Sequence, residues 1–330
     1  MEQTRSPRAR LIALFLASAA VVVGVLPVGA QSSGYRVAVL TPGATYAPVL
    51  EGLREDLPRL GYQEGKNINF IVDETKPGAA DLVSRAKKLV EAKPDVVVAI
   101  TTSHTAAARQ ATTTIPIVFV WVGDPLRSGF IASYVSSKNN LTGVAAYSGP
   151  LSGKRLEILK EIVPGVKRVL AVVTTNDSIA ESSFQTVSET AKKLGVQVVR
   201  KDVTTKEEIE KVVRETAKGS AEAIYAVPAS LLGVHIDLFI KKSKEDRLPL
   251  VAWENSMVER GALFAYGGDF RHVGAQSAKL VSKVLKGAKP SEVPTEIPDK
   301  LMLVINLSTA RAIGLKIPDA VLERADRRIE

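Results

Sequence analysis

Residues 117–122 form an unbroken apolar run, Ile-Val-Phe-Val-Trp-Val, which follows Pro116. Strands that are buried on both faces of a parallel sheet have this composition, because helices cover both faces. The run ends at Gly123, Asp124 and Pro125, where glycine permits a sharp turn and proline prevents the strand from continuing. Open α/β sheets bind ligands at the carboxyl ends of their strands. We therefore predict that this turn forms one wall of a small-molecule cleft; an ordinary strand with an ordinary turn is the alternative.

Apolar segments and amphipathic helices alternate along the rest of the chain in two blocks of similar size. Strands of the first block are predicted at 35–41, 67–72, 95–100, 117–122 and 141–146. A second block begins after Gly149 and Pro150, with strands predicted at 168–174, 196–200, 223–227 and 248–253. Alternation of this kind predicts a parallel sheet, and 330 residues exceed the usual size of one core. The predicted fold is therefore α/β, with two doubly wound parallel-sheet lobes joined by a hinge.

The last part of the chain is expected to complete both lobes. A long helix is predicted at 270–285, and a strand at 301–305 is followed by a helix at 307–313. The predicted division is a signal peptide at 1–30, a first lobe at 31–149 plus 267–290, and a second lobe at 150–266 plus 291–330.

The first thirty residues have the pattern of a secretory signal. Three arginines precede an apolar run at 11–26, and Val-Gly-Ala follows at 28–30. A basic segment, a short apolar segment and a small-x-Ala site are typical of a cleavable signal peptide, so the mature chain is expected to begin at Gln31. A retained anchor is the alternative, but the run is shorter than the roughly 20 residues of a spanning helix. Because the sequence has no cysteine, no lipid anchor is expected.

The formal net charge of +9 raises the question of a nucleic-acid partner. The lysines, however, are dispersed as pairs such as Lys87-Lys88 and Lys192-Lys193, with acidic residues nearby. Nucleic-acid-binding surfaces instead collect basic and aromatic residues in one patch. Together with export, this distribution predicts solvated helix faces and no nucleic-acid partner.

Enzyme motifs are absent from the sequence. The turn after the first predicted strand reads TPGATYAP, so it lacks the glycine pattern of a dinucleotide site. The sequence also lacks a phosphate loop and a G-x-S-x-G nucleophile turn. Its three histidines, His104, His235 and His272, are far apart and lack metal-ligand spacing. We therefore expect no enzyme activity, metal or cofactor, with a secreted α/β transferase or hydrolase as a remote alternative.

Small polar residues recur instead at the carboxyl ends of the predicted strands. Hydroxyls, amides and helix N-terminal N–H groups suit a small polar ligand such as a carboxylate, although the same residue types also cap helices. Aromatic residues near the same ends could stack on a ligand ring or fill the core between the lobes. The predicted ligand-binding residues are Thr41, Thr45, Thr101, Thr102, Ser103, Asp124, Tyr147, Asn176, Ser230, Trp253, Tyr266 and Asp269. Asp124 is expected either to contact ligand opposite Asn176 or to fix the loop beside it.

Five segments resemble a known family. They are IPIVFVWVGDPLRSGFI at 115–131, NNLTGV at 139–144, GKRLEILKEIVPGVKRV at 153–169, the stretch from GALFAYGGD to EVPTE at 261–296, and LVINLSTARAIGLKIPDAVLERAD at 303–326. In this order they resemble the bacterial ABC transporter substrate-binding proteins of the tryptophan/tyrosine-binding type, a branch of the type I periplasmic binding proteins.

The resemblance implies a Venus-flytrap protein of the periplasm. Such a protein captures a small solute, here an amino acid or a similar polar or aromatic molecule, and delivers it to an ABC permease and ATPase at the inner membrane. It would act as a monomer, and its ligand would bind between the lobes at the strand-end loops named above. A periplasmic sensor subunit for a receptor kinase or chemoreceptor is the alternative.

Overall fold

Two sheets with helices packed on their faces make up the fold, which we describe from a computed structural model. The structure describes residues 34–75, 81–175, 177–217 and 219–330. The predicted signal peptide lies outside these residues. Among the helices of the described ranges, none combines the length and apolar character needed to cross a membrane.

The first sheet contains five parallel strands. In chain order they are β1 (Tyr35–Thr41), β2 (Ile68–Glu74), β3 (Val96–Ile100), β4 (Ile117–Val122) and β5 (Leu141–Ala145). Their order in the sheet is β2-β1-β3-β4-β5. Every residue of β3, β4 and β5 is buried, because helices cover both faces. The apolar run at 117–122 is therefore an inner strand of a parallel sheet, as its composition predicts.

The second sheet contains seven strands in the order β12-β11-β10-β9-β8-β6-β7. In chain order they are β6 (Arg168–Thr174), β7 (Gln197–Val203), β8 (Ala223–Ala226), β9 (Leu250–Ala252), β10 (Phe264–Gly268), β11 (Leu301–Asn306) and β12 (Arg327–Ile329). All neighbouring pairs are parallel except β10 and β11. Two parallel-sheet α/β lobes are thus confirmed, with one antiparallel pair that the sequence did not predict.

Twelve α-helices connect and cover these strands. They are α1 (Ala47–Asp56), α2 (Leu82–Glu91), α3 (Thr102–Ala111), α4 (Ser148–Ile162), α5 (Ser178–Leu194), α6 (Lys206–Glu215), α7 (Ser230–Val234), α8 (Ile236–Asp246), α9 (Asn255–Arg260), α10 (Phe270–Leu285), α11 (Leu307–Ile313) and α12 (Asp319–Glu323). This count refers to the ranges that the structure describes.

Helix α10 leaves the second sheet and packs on the first lobe beside α1. A Cβ atom at Gly52 of α1 would lie 1.8 Å from the carbonyl oxygen of Arg271, so glycine is required for this close approach. Val273, Leu280 and Val281 of α10 are fully buried in the same core as the first sheet. The helix therefore packs in the core of the first sheet, although it follows a strand of the second.

After α10 the chain continues along the edge of the first sheet. The Thr142 hydroxyl donates to the Val293 carbonyl at 2.9 Å, and the Ala145 amide donates to the Glu296 carbonyl at 2.8 Å. The chain returns to the second sheet after Glu296, where β11 begins at Leu301. Gly268 at the end of β10 pairs with Leu301 at the start of β11. Strand β11 enters the sheet at the end where β10 leaves it, so the two strands run in opposite directions. The exact boundaries between the lobes stay a prediction.

Candidate functional site

Three strand ends of the first sheet have unusual backbone conformations. Thr101 after β3, Trp121 near the end of β4 and Tyr147 after β5 have φ values of 81°, 63° and 56°. Positive φ is unfavourable for residues with a Cβ, so it persists only where the surrounding fold enforces it. At Trp121 the pairing register with β5 shifts between Val120 and Val122, which redirects the indole. Such strained residues concentrate at functional sites, and all three lie at the carboxyl edge of this sheet.

A cleft of about 480 Å³ opens beside this edge and is lined by both lobes. Its principal polar and aromatic lining from the first lobe is Thr45, Tyr46, Thr101, Thr102, Ser103, His104, Trp121 and Ser148. The second lobe contributes Asp177, Ser230, Trp253, Glu254, Ser256 and Arg260. Clefts of this size, with a few convergent polar groups on mostly apolar walls, are typical of small-molecule sites.

The N-terminus of α3 forms the polar wall of the first lobe. Thr101 precedes this helix, but its side chain does not cap it. Its hydroxyl instead lies 2.9 Å from Nδ1 of His104. The Thr102 hydroxyl accepts the Gly123 amide at 3.3 Å and so joins α3 to the turn after β4. The first N–H groups of α3 therefore receive no capping hydrogen bond from the Thr101 side chain. The N-terminus of a helix carries partial positive charge, so a negatively charged group is favoured there.

His104 is a neutral member of this wall. Burial lowers the pKa of its imidazole to about 4, and the nearby Asp73 carboxylate offsets this effect only in part. The residue as a whole is 3% exposed. At neutral pH the ring therefore adds no positive charge to this wall.

Glu254 is the most buried acidic group in the cleft, with 4% of its surface exposed. Oε1 accepts the Tyr46 hydroxyl at 3.1 Å and the Trp253 indole N–H at 3.2 Å, and the Trp121 indole is a third nearby donor. Burial raises the pKa of this carboxyl to about 7, while the three donors and the charge of Arg155 act in the opposite direction. Because Tyr46 belongs to the first lobe, its hydrogen bond to Glu254 spans the cleft.

Arg155 is close enough to Glu254 for their charges to interact and is also buried, with 3% exposure. Its Nε donates to the Tyr266 carbonyl at 2.8 Å and its Nη1 to the Ser152 hydroxyl at 3.2 Å. Burial lowers the pKa of the guanidinium, and the neighbouring Tyr225 and Glu254 oppose that shift. Arg155 therefore stabilises negative charge on Glu254 at a distance rather than through a direct hydrogen bond.

Asp177 provides the second carboxylate of the cleft. Its Oδ1 accepts the amides of Ile179 and Ala180 at 2.9 and 3.0 Å, which caps α5. Burial raises its pKa, and these two hydrogen bonds partly offset the rise. The side chain thus both begins the helix and borders the cleft.

The structure brings six of the predicted residues into the lining of the cleft: Thr45, Thr101, Thr102, Ser103, Ser230 and Trp253. Five others are not among its lining residues: Thr41, Asp124, Tyr147, Tyr266 and Asp269. Asn176 lies outside the described residues. Which of these side chains contact a ligand stays a prediction.

Hydrogen bonds hold three of the five residues outside the lining, Asp124, Asp269 and Tyr266, whereas Thr41 and Tyr147 are described by burial and backbone conformation alone. Asp124 accepts the Arg127 amide at 3.0 Å, so of its two predicted roles the structure contains the loop-fixing one. Asp269 accepts the His272 amide at 2.9 Å and caps α10. Tyr266 binds Arg155 through its carbonyl, while Thr41 is buried at the end of β1. Tyr147 supplies the left-handed residue before α4.

The predicted set of ligand-binding residues omits several lining residues, above all Tyr46, His104, Trp121, Asp177 and Glu254, although the sequence had marked Trp121 as an aromatic residue near the cleft edge. Asp177 and Glu254 each follow a strand of the second sheet, so the strand-end criterion that selected Asn176 and Trp253 applies to them equally. Tyr46 has no comparable signal, since it lies in the loop region before α1 and reaches Glu254 across 208 positions of sequence.

Comparison with known proteins places this architecture in a family. The model of the family described as "ABC transporter substrate binding protein" matches residues 36–329. The chain is 27% identical over 266 residues to a protein named tyrosine-binding protein from Clostridioides difficile, covering 81% of this chain and 76% of that protein.

Solved structures agree with this assignment. A conserved domain protein from Vibrio cholerae is 30% identical and superimposes with a TM-score of 0.82, covering 89% of this chain and 99% of that chain. An ABC domain from Streptococcus pneumoniae, solved in complex with L-Trp, has a TM-score of 0.83 at 23% identity and covers 90% of this chain and all of that one, so it shows the shared fold. From the family match over nearly the whole described chain, we conclude that this protein belongs to the ABC transporter substrate-binding protein family.

Proposed function

We propose that this protein is the periplasmic solute-binding component of an ABC importer. In this role it captures a small amino-acid-like solute between its lobes and delivers it to the permease. The observation that best supports the proposal is the cleft itself, which both lobes line at the carboxyl ends of their strands. A cleft divided between two lobes can close around a solute, and closure is a signal that a transporter can recognise.

The chemistry of the first-lobe wall is consistent with a ligand that has a carboxylate. Thr101, Thr102 and Ser103 border the cleft at the N-terminus of α3. Backbone N–H groups and hydroxyls in this position bind anions without a buried arginine. The names of relatives support the same ligand class, since one is called tyrosine-binding and another was solved with L-Trp. We therefore place the carboxylate of an amino-acid-like solute at α3.

Binding can be tested on protein that is purified without refolding. Native mass spectrometry would detect a solute retained from the cell, and thermal-shift screening of amino acids, nucleosides, sugars and organic acids would find others. A ligand that binds only the folded chain raises Tm in proportion to its concentration relative to Kd. No retained solute and no shift across this set would contradict the proposal.

The α3 wall has its own test with a matched control. Ser103→Ala removes a hydroxyl that borders the cleft, and we expect it to weaken binding of a carboxylate ligand by about 3- to 10-fold. Ser84→Ala removes an exposed hydroxyl of α2 that donates to the carbonyl of Asp81, the residue before this helix, away from the cleft. Isothermal titration of both variants distinguishes the loss of a ligand contact from a general loss of stability. If Ser103→Ala and Ser84→Ala bind the ligand with equal affinity, the proposal that α3 contacts the ligand is contradicted.

Delivery to a permease requires a separate experiment. Uptake of the identified solute should depend on this protein in cells or in proteoliposomes that contain the partner permease and ATPase. Tight binding without any effect on uptake would leave solute capture intact but contradict the importer role.

A further inference from the structure

His104 in the α3 wall is a buried polar side chain whose hydrogen bonds are incomplete. Only 3% of the residue is exposed, and it borders the cleft. The Thr75 carbonyl is close enough to favour protonation of the ring, but among the described residues no atom is in hydrogen-bond geometry with Nε2. A buried ring nitrogen without a partner lowers stability, so a role in the fold alone does not account for this histidine.

Thr101 occupies the position from which a threonine normally caps a helix. It directly precedes α3, and its ψ of 165° is extended, as in an ordinary N-cap residue. The ψ angle sets the direction of the side chain relative to the helix that follows, whereas the unusual φ of 81° affects the chain that precedes it. Rotation about χ1 is then enough to bring Oγ1 to the amide of Ser103 or His104. The side chain nevertheless makes no capping hydrogen bond.

The contact with His104 holds the Thr101 hydroxyl away from these amides. Nδ1 of the ring lies 2.9 Å from Oγ1 of Thr101, and the two atoms are joined in either tautomer, since the nitrogen donates in one and accepts in the other. The Ser103 hydroxyl lies 3.3 Å from the same nitrogen. As a result, the amides of Thr102, Ser103 and His104 have no acceptor among the described residues. Such amides are the anion-binding groups of a helix N-terminus.

Two acceptors compete for these amides, the Thr101 hydroxyl and a ligand carboxylate. A capping hydroxyl would satisfy one amide and place an oxygen where the carboxylate binds. We propose that His104 is a positioning residue, which holds the Thr101 hydroxyl in a conformation that does not cap α3 and so keeps the N-terminus of this helix open for the ligand. This inference rests on the proposed function. It implies that α3 is less stable than its sequence allows, as is common where a site must stay open for binding.

His104→Leu should change stability and affinity in opposite directions. Leucine keeps most of the buried volume but lacks Nδ1, so the Thr101 hydroxyl can rotate and cap α3. The gain of a cap, with the loss of an unpaired ring nitrogen, should raise the Tm of the ligand-free protein by roughly 2 °C. The affinity for a solute with a carboxylate should fall about 10-fold or more, because hydrogen bonds to a charged group are lost. Calorimetry measures Tm, and isothermal titration at pH 7 with L-tyrosine, L-tryptophan and the tightest carboxylate-bearing solute of the screen measures affinity.

His104→Asn is the conservative variant. Its amide group lies at the position of Nδ1 and can hold the Thr101 hydroxyl, but the smaller side chain leaves a cavity. Its Tm should therefore fall, while its affinity stays within about 3-fold of that of the unmodified protein. If His104→Leu does not fold, His104→Gln replaces it, because the longer side chain carries its amide to the position of Nε2 and not to that of Nδ1.

A double-mutant cycle identifies the hydroxyl through which His104 acts. Thr101→Ala removes the competing cap, so in that background His104→Leu should reduce affinity by less than about 2-fold. Thr105→Val is the control on the same helix, since the buried Thr105 hydroxyl donates to the Thr101 carbonyl at 2.8 Å and not to its side chain. This variant should have a lower Tm and an affinity within about 2-fold of that of the unmodified protein, because it weakens α3 without covering its amides.

The outcomes separate this inference from the proposed function. Unchanged affinity in His104→Leu, or an equal loss with and without the Thr101 hydroxyl, would overturn the positioning role and leave solute capture standing. A fall of both Tm and affinity in His104→Leu, or an equal loss of affinity in Thr105→Val, would assign His104 a structural role and overturn the inference as well. If the unmodified protein binds only solutes without a carboxylate, this inference fails and capture stands; if it binds no solute at all, the proposed function fails with it.

Discussion

Ligand binding should depend on a close contact between the turn after β4 and the start of α5. Gly123 lies in the first lobe and Ile179 in the second. A Cβ atom at Gly123 would lie 2.6 Å from Cδ1, 2.7 Å from Cγ2 and 2.9 Å from Cγ1 of Ile179. Favourable contacts between carbon atoms occur at roughly 3.5–4.0 Å, so Gly123→Ala would produce an overlap of about 1 Å in this arrangement of the lobes.

The energetic cost should fall on lobe closure rather than on folding. Overpacking of a close contact costs about 1–3 kcal/mol, and here the two residues belong to different lobes. If the solute binds the arrangement with this contact, its affinity should fall by roughly 5- to 150-fold in Gly123→Ala. The Tm of the ligand-free protein should change little, because each lobe can fold with its own core and the lobes can separate slightly.

Isothermal titration with the tightest solute from the screen measures this loss, and small-angle scattering with and without solute measures closure. The double variant Gly123→Ala/Ile179→Ala should recover most of the affinity, because the truncated side chain removes the overlapping atoms. Gly149→Ala is the control, since a Cβ there would meet only Thr186 Oγ1 at 3.9 Å. An unchanged affinity in Gly123→Ala, or a loss that Ile179→Ala does not rescue, would refute the contact as part of the bound state.

Three further substitutions test the fold and the site. Burial raises the pKa of Glu254 to about 7 from an ordinary value of 4.5, so the contribution of this residue to stability falls as pH rises through this interval. Between pH 4 and pH 8, the free energy of unfolding of Glu254→Gln should therefore gain up to about 3 kcal/mol relative to that of the unmodified protein. If the free energies of unfolding of both proteins change in parallel between the two pH values, the raised pKa is contradicted. Gly52→Ala places a Cβ 1.8 Å from the Arg271 carbonyl oxygen, so it should destabilise the first lobe by about 3 kcal/mol or more, measurable by urea unfolding. Asp124→Ala removes the acceptor of the Arg127 amide and should lower stability by about 1 kcal/mol while weakening solute binding; an unchanged Kd would confine Asp124 to its loop.

The elements nearest to each other in sequence could be predicted from the residues alone. The apolar run at 117–122 is β4, buried at every position, because a strand covered on both faces needs no polar residue. The strand-end criterion led to Thr101, Thr102 and Ser103, which the structure places at the cleft. These predictions succeed because the spacing of hydrophobic residues, the residues that favour turns and the residues that begin helices are all properties of a short segment of sequence.

The second half of the site could not be predicted in this way. Tyr46 and Glu254 meet only after two lobes have formed and come together, and nothing in either local sequence specifies the other. The positive φ of Trp121 is likewise enforced by the surrounding fold, since tryptophan has no intrinsic preference for that conformation. Asp177 and Glu254 differ from Tyr46 in this respect, because each follows a strand of the second sheet and the strand-end criterion applies to them as it does to Asn176 and Trp253.

Two α/β lobes, their buried strands and the edge of the sheet at which a ligand would bind could thus be predicted from local patterns of residues. Only the three-dimensional packing shows that β11 pairs antiparallel with β10 and that Glu254 is buried among aromatic rings from both lobes. The physical reason is the range of the interactions. Hydrophobic period and turn chemistry act over a few residues, whereas burial, shifted pKa values and contacts across a cleft depend on atoms that are distant in the chain.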